Sequence, residues 1–366
     1  MTFANTSNTS NTSNTSNTSN TSNTSNTSNT SNTSGLEFAH AGQGSSPLLS
    51  RTLLDVAAEM NAGTPHGEAT VPDGKMPQRG DGKYEVMNPR HRLHLVVTAL
   101  LDGVSAGAMT AEDKDAIGDR PDLKSVDRLA VIRFGDQRRI AAGLTYQDDA
   151  WTGQLQAVLA HATERWVRAE EIFLQQTDIL SYLALPVRLG PVTHPWTMLF
   201  LTAVHECAFR IGAQVKEVFD LTRPADLSPQ VAPMIQTPAH SAFPSGHAME
   251  SHALATVLRG LYGAAPGDGA DVVAARITLN RVIAGVHYPV DGEAGAAIGR
   301  LLGAHALALL FGKALAVRFQ PVIGPSGVEA NPDQTDTDRN VVVGATDRPA
   351  VLEWLYGKMM AEIGKA

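Results

Sequence analysis

Lys216-Glu217-Val218-Phe219-Asp220-Leu221-Thr222-Arg223-Pro224, then Pro244-Ser245-Gly246-His247, then Arg281 with His287 and Asp291: three short motifs in this order decide the reading of the chain. Together they describe a pocket for a tetrahedral oxyanion. Such concentrated negative charge asks for fixed cations, backbone N–H donors and a nitrogen facing the central atom. Lys216 and Arg223 are seven residues apart, so two helical turns at about 3.6 residues each return them to nearly one face, where both cations can converge on one anion. Pro224 cannot donate a hydrogen bond and biases Arg223 toward extended backbone, which predicts a helix ending there with the guanidinium at its mouth.

The second motif reads as a loop entering a helix. Pro244 and Gly246 punctuate the chain, and Ala248 to Leu258 is mostly helix-favouring. The turn then sits near Ser245, and the free N–H groups of Gly246 and His247 at the positive helix end can point at the anion. His247 is expected at the rim, placed for proton transfer. In the third motif, Gly285 separates Arg281 from His287 as a break between two helices, and Pro289 is tolerated in the first turn of the second. Asp291, four residues past His287, can hold one imidazole nitrogen protonated while the other faces the phosphorus or metal atom. Gly324-Pro325-Ser326-Gly327 is a near-decoy that continues with Val328 and lacks the histidine.

In their order and spacing these residues resemble the superfamily that unites type 2 phosphatidic acid phosphatases, bacterial acid phosphatases and vanadium-dependent haloperoxidases. One position departs: Asn280 stands where the family usually has a serine before Arg281. The resemblance implies an all-α fold, a helical bundle of the haloperoxidase and acid phosphatase type, over roughly residues 90–320. The stretch from Thr237 to His247 is further similar to the bromoperoxidase pattern, including a histidine seven residues before the motif histidine. His240 is therefore a candidate group beside halide or peroxide, weighed against a loop histidine touching solvent.

Two chemistries are compatible with this pocket. The haloperoxidase reading, favoured by the resemblance, has His287 coordinate vanadium while Lys216, Arg223, Arg281, Ser245 and Gly246 bind the oxygens of a vanadate cofactor; peroxide and halide are the substrates and His247 assists proton transfer. The phosphatase alternative needs no cofactor. There His287 attacks the phosphorus of a phosphomonoester, His247 protonates the leaving alcohol and then activates water, and Lys216, Arg223 and Arg281 stabilise the transition state. A third reading, anion binding without turnover, does not need two histidines and an aspartate.

Composition bounds the partners. A chain of 366 residues with 43% hydrophobic content is ample for a core, and a net charge of −8 argues against nucleic acid. The single cysteine, Cys207, excludes an intrachain disulfide. A membrane span needs about 20 mostly apolar residues. Leu301–Phe311 is cut short by Arg300 and Lys313, and the run from Trp196 to Ala213 is interrupted by His205, Glu206 and Arg210, so both read as buried helices and no span is expected. Nor does the start resemble a signal peptide, and a cytoplasmic location is the expectation.

Ten Asn-Thr-Ser copies run from Asn5 to Ser34. Small polar residues cannot offset the entropy of ordering, so residues 1–34 are expected to be disordered. Residues 35–88 read as an arm or linker, 89–320 as the catalytic domain and 321–346 as a long loop. A C-terminal helix within 347–366 could pack on the bundle or on a second subunit, which leaves a homo-oligomer open. Expected helices are 91–102, 150–183 in one or two pieces, 196–220, 247–262, 270–284 and 288–317, and no alternating pattern long enough for a sheet is found. His205-Glu206 lacks the second histidine that a zinc-protease helix needs, since Phe209 stands there. Core or surface roles are expected for His161, His194, His252 and His305.

Overall fold

The computed structural model describes residues 80–147, 149–313, 319–325 and 348–364. The expectations for the repeat, for 35–79 and for most of the 321–346 loop lie outside these residues. The chain divides into two units, residues 1–94 and 95–366. The first holds a short 3-10 turn, Gly80–Tyr84, and the start of helix α1, Pro89–Leu100, whose N-terminus is capped by Asn88 accepting from the N–H groups of Arg90 and His91.

The second unit is mostly helical, as the resemblance implied, and carries a small sheet. Strand β1 is Val104–Ala108; helix α2, Ala111–Ile117, follows, then strands β2, Arg128–Phe134, and β3, Gln137–Leu144. Helices α3, Ala150–Ala160, α4, Arg165–Leu174, and α5, Leu180–Ala184, lead to the long α6, Pro195–Phe219, and the short α7, Pro224–Leu227. Then come α8, Gly246–Tyr262, α9, Ala264–Ile283, α10, Pro289–Phe311, strand β4, Val322–Gly324, and α11, Ala350–Ile363.

The sheet corrects the expectation that no strands would form. Its order is β1-β2-β3-β4, antiparallel except for the parallel β3–β4 pair. Strand β2 is buried over three consecutive residues and β3 over its last five, so the period-2 signal is lost to continuous burial. The hairpin signal is present nonetheless: Phe134 pairs with Gln137 across Gly135-Asp136, with Gly135 at φ +57°. Strand β4 likewise lies where a loop was expected, paired from Val322 to Gly324 with Ala142 to Leu144. Helix α6 is tied to the sheet where the Ala106 N–H donates to Gln214 Oε1 at 2.7 Å and Arg128 donates to the Val218 carbonyl at 2.8 Å.

Helix α8 occupies the centre of the bundle, packed by α6, α9 and α10 and buried from Ala248 through Ala255. Glycines on α10 let that helix approach α8 backbone to backbone. A Cβ at Gly295 would overlap the Ser245 carbonyl and stand 2.9 Å from the Ala248 Cβ, and one at Gly299 would overlap the Met249 carbonyl. This contact brings the Pro-Ser-Gly-His turn against the start of α10, where the Ser245 N–H donates to the Asp291 carbonyl at 2.8 Å. By length and composition α10 alone among the described helices could cross a membrane, yet most of its apolar window is buried inside the protein.

Candidate active site

Lys216 sits in the last turn of α6, which ends at Phe219, with Asp220 in the left-handed region at φ 48°. Arg223 is therefore not on the same helix face as Lys216, as the seven-residue spacing suggested. It reaches the pocket from extended backbone, φ −74° and ψ 154°, with Pro224 opening α7. The restriction before proline holds, and the helix ends at Phe219, within one residue of the expected 196–220 and short of the end at Arg223 that Pro224 suggested.

Both cations are buried and held by the loop before α8. Lys216 Nζ donates to the Ser241 carbonyl at 2.8 Å, and Arg223 donates to the carbonyls of His240, Ser241 and Val286. Arg223 Nη1 also lies 3.1 Å from His287 Nε2, and Nη2 lies 3.1 Å from His240 Nδ1. His240 is exposed, and its ring faces Arg223. Burial, followed by repulsion from Arg223, brings the Lys216 ammonium down to about 7. A bound anion restores the charge, because opposite charge favours the ionised form.

Ser245 caps α8 in extended backbone, its hydroxyl accepting from the Ala248 N–H at 3.5 Å. Gly246 and His247 open the helix, so no carbonyl ahead of them within it can take their N–H groups. A Cβ at Gly246 would lie 3.8 Å from Glu250 Oε1 and 4.0 Å from Lys216 Cε, which places Gly246 between the two charges. His247 Nε2 lies 2.9 Å from the Gln175 backbone carbonyl. With that nitrogen donating, Nδ1 is left for proton transfer. Burial, then Arg281, holds the His247 pKa below the ordinary imidazole value.

The turn from α9 to α10 is fixed as its glycine predicted. Gly285 has φ +82°, and a Cβ there would stand 2.7 Å from Arg165 Nη2 and 3.0 Å from Val231 Cγ1. Arg165 donates to the carbonyls of Ile283 and Ala232, while Ile172, Ile283, Ala284 and Val286 form a small buried cluster. This clamp delivers His287. Its Nδ1 lies 2.9 Å from Asp291 Oδ2, which also accepts the Tyr288 N–H at 2.9 Å. Burial, then Arg223 and Lys216, keeps His287 well below the ordinary imidazole range, and burial raises the Asp291 carboxyl to about 7. In the neutral imidazole Nδ1 then carries the proton toward Asp291, and Nε2 presents its lone pair.

Arg281, 1% exposed, donates through Nη2 to the Ile172 carbonyl and to Gln175 Oε1, both at 3.3 Å, whereas its Nε and Nη1 have no hydrogen-bond partner. Two unsatisfied donors on a buried cation are costly unless an anion takes them. Thus Lys216, Arg223, Arg281, the α8 N-terminus, His247 and the His287–Asp291 pair come together as the motifs suggested. Sequence reasoning missed Gln175, which lies 72 residues before His247 in no motif. It also missed Glu250, whose Oε2 is 3.4 Å from His205 Nε2. Spacing on α8 could have found Glu250, three residues and about one turn past His247. Among the described residues, no group of three or more His, Cys, Asp or Glu could hold a metal ion.

Fold and site define a helical domain in which buried cations gather around a histidine–aspartate pair. Residues 194–314 match the PAP2 superfamily, a stretch containing all three motifs. Two curated relatives, each named decaprenylphosphoryl-5-phosphoribose phosphatase and from two strains of Mycobacterium tuberculosis, are 35% identical over 98 residues, 26% of this chain and 52% of theirs. The chain spans about half the length of the curated relatives it matches.

Proposed function

We propose that this protein is a phosphatase that releases phosphate from a phosphomonoester through a phosphohistidine on His287. The observation that carries the reading is the His287–Asp291 pair: Nδ1 lies 2.9 Å from Asp291 Oδ2, which leaves Nε2 its lone pair, 3.1 Å from Arg223 Nη1, in a site that also buries Arg281 with two unpartnered donors. Lys216, Arg223, Arg281 and the first N–H groups of α8 hold the phosphoryl oxygens. Nε2 attacks phosphorus while the P–O bond to the alcohol breaks, and His247, protonated at Nδ1, gives its proton to the departing oxygen. The same nitrogen then takes a proton from water, whose oxygen attacks phosphorus and frees His287. The cations concentrate on charge that spreads over the equatorial oxygens, where preorganised donors act most strongly. The phosphatase activity in the relatives' names supports this chemistry.

The residues also fit vanadate, which His287 Nε2 would hold with the same cations around its oxygens. Bound there, it would supply the peroxide-activating centre of a haloperoxidase. The names of the curated relatives support the phosphatase reading over that expectation. His240 adds little to the haloperoxidase side, since its ring nitrogen faces Arg223. The test is a paired assay on the purified full chain: hydrolysis of a chromogenic phosphomonoester, and bromination of a phenol indicator by peroxide and bromide, each with and without orthovanadate. Phosphate release inhibited by orthovanadate is expected. Bromination that requires orthovanadate, without phosphate release, overturns the proposal.

A further inference from the structure

Asn280 occupies the position at which the superfamily usually carries a serine, and it is fully buried. Its side-chain hydrogen bonds are all to Arg168, Glu171 and Gln175. Nδ2 donates to Glu171 Oε2 and to Gln175 Oε1, both at 2.9 Å, and Oδ1 accepts from Arg168 Nη1 at 2.7 Å. An amide nitrogen has two N–H groups, so Asn280 has no donor left for an anion. Glu171 is itself fixed by Arg276, at 2.7 and 2.6 Å, and Gln175 Nε2 is 3.4 Å from Glu171 Oε2.

Gln175 is the hub of these contacts. It follows the last residue of α4, is 1% exposed, and its N–H donates to the Glu171 carbonyl at 2.9 Å. Its side-chain oxygen accepts from Arg281 and from Asn280, while its backbone carbonyl accepts from His247 Nε2. One residue thus touches the group that would move protons and the cation with two unpartnered donors. We propose that Gln175 is a positioning residue that aligns His247 and Arg281 together, and that Asn280 acts by locking the Gln175 side chain rather than by contacting the anion.

Two consequences separate this from a merely structural role. The Gln175 carbonyl bond favours the protonated form of His247, so loosening it moves the alkaline limb of kcat/KM to lower pH. Loosening the side-chain contact frees Arg281 and weakens anion affinity. Restoring the superfamily's residue by Asn280→Ser is the informative change, because a serine side chain is too short to bridge Glu171 and Gln175.

The inference rests on the phosphatase reading for its pH arm only. Asn280→Ser, Gln175→Ala and the double variant are compared with wild type by calorimetric titration with orthovanadate, by thermal melting, and by kcat/KM against pH for an aryl phosphate. Each single variant is expected to lose about tenfold in orthovanadate affinity, the scale of one hydrogen bond to a charged group. The alkaline limb is expected to move down by about half a unit or more. The double variant is expected to match Gln175→Ala alone, since Asn280 acts through Gln175. Asn280→Ser binding orthovanadate as well as or better than wild type overturns the inference, as does additive loss in the double variant. Should Gln175→Ala fail to fold, Asn280→Ser still decides through affinity. Absence of aryl phosphate turnover in the wild type sinks the phosphatase reading alone and leaves calorimetry to judge Gln175 and Asn280.

Discussion

Replacing Asp291 by asparagine leaves the shape of the pocket and removes the feature that sets the imidazole. Asp291 Oδ2 accepts from His287 Nδ1 and from the Tyr288 N–H, each at 2.9 Å. An asparagine oxygen can keep one of these bonds well. If its amide nitrogen instead faces His287, it donates to Nδ1 and drives the proton onto Nε2, the atom required to attack. Hydrogen bonds to charged groups are worth about 1.5–3 kcal/mol each, so that second orientation, which loses both, places the cost at roughly 3–6 kcal/mol, or about 10^2–10^4 in rate. The loss caused by a mistaken histidine tautomer in a serine protease triad, about 10^4 in kcat, stands at the upper end of that range. KM should change by no more than about threefold, because Lys216, Arg223 and Arg281 are untouched. Steady-state hydrolysis of an aryl phosphate by Asp291→Asn, with a melting curve to show folding, reads both constants. A folded variant whose kcat stays within about threefold of wild type refutes the role given to this pair.

Lys216→Met should weaken orthovanadate inhibition by about 10–100-fold while the protein stays folded, since one charged donor to the anion is lost. Unchanged inhibition would remove Lys216 from the anion site. Gly299→Val forces a branched side chain onto the Met249 backbone, with Cβ 3.0 Å from the Met249 carbonyl carbon and 3.1 Å from the Ala253 nitrogen. Overpacking of about 3 kcal/mol then lowers the melting temperature by about 6–12 °C, and a shift under about 2 °C would show that α8 and α10 separate freely. His252, buried beside Arg300 with its pKa lowered by burial to about 3, stays neutral in the fold but gains a proton when unfolded. Its folded value lies below the unfolded one, so stability is present above about pH 6.5 and is lost as pH falls toward about 3. Between about pH 7 and pH 5 the wild type should lose about 2 kcal/mol more than His252→Gln, measured by urea denaturation. Equal losses would mean that His252 is protonated in the folded protein.

Much of the site is legible in the sequence because its chemistry is carried by local features. Gly285 marks the break between α9 and α10, Pro289 the start of α10, and Ser245 the cap of α8. What spacing cannot give is the route by which distant segments converge. Arg223 reaches the pocket beyond a left-handed Asp220, and Gln175 meets His247, Asn280 and Arg281 from a segment that carries no motif. The sheet escapes the pattern for a related reason: β2 is buried over residues 130–132 and β3 over 140–144 without interruption, so alternation does not survive there. The Gly135-Asp136 turn is the better guide.

Phosphorylation of His287 during turnover is the central claim, and acid-sensitive labelling of the protein tests it most directly. Full-length wild type, His287→Ala and His247→Ala are mixed with a radiolabelled aryl phosphate and quenched in alkali, which preserves phosphohistidine. A label that accumulates in His247→Ala, is released by acid and is missing from His287→Ala is the predicted result. Label retained by His287→Ala, or turnover by wild type with no trapped label in either wild type or His247→Ala, would contradict it.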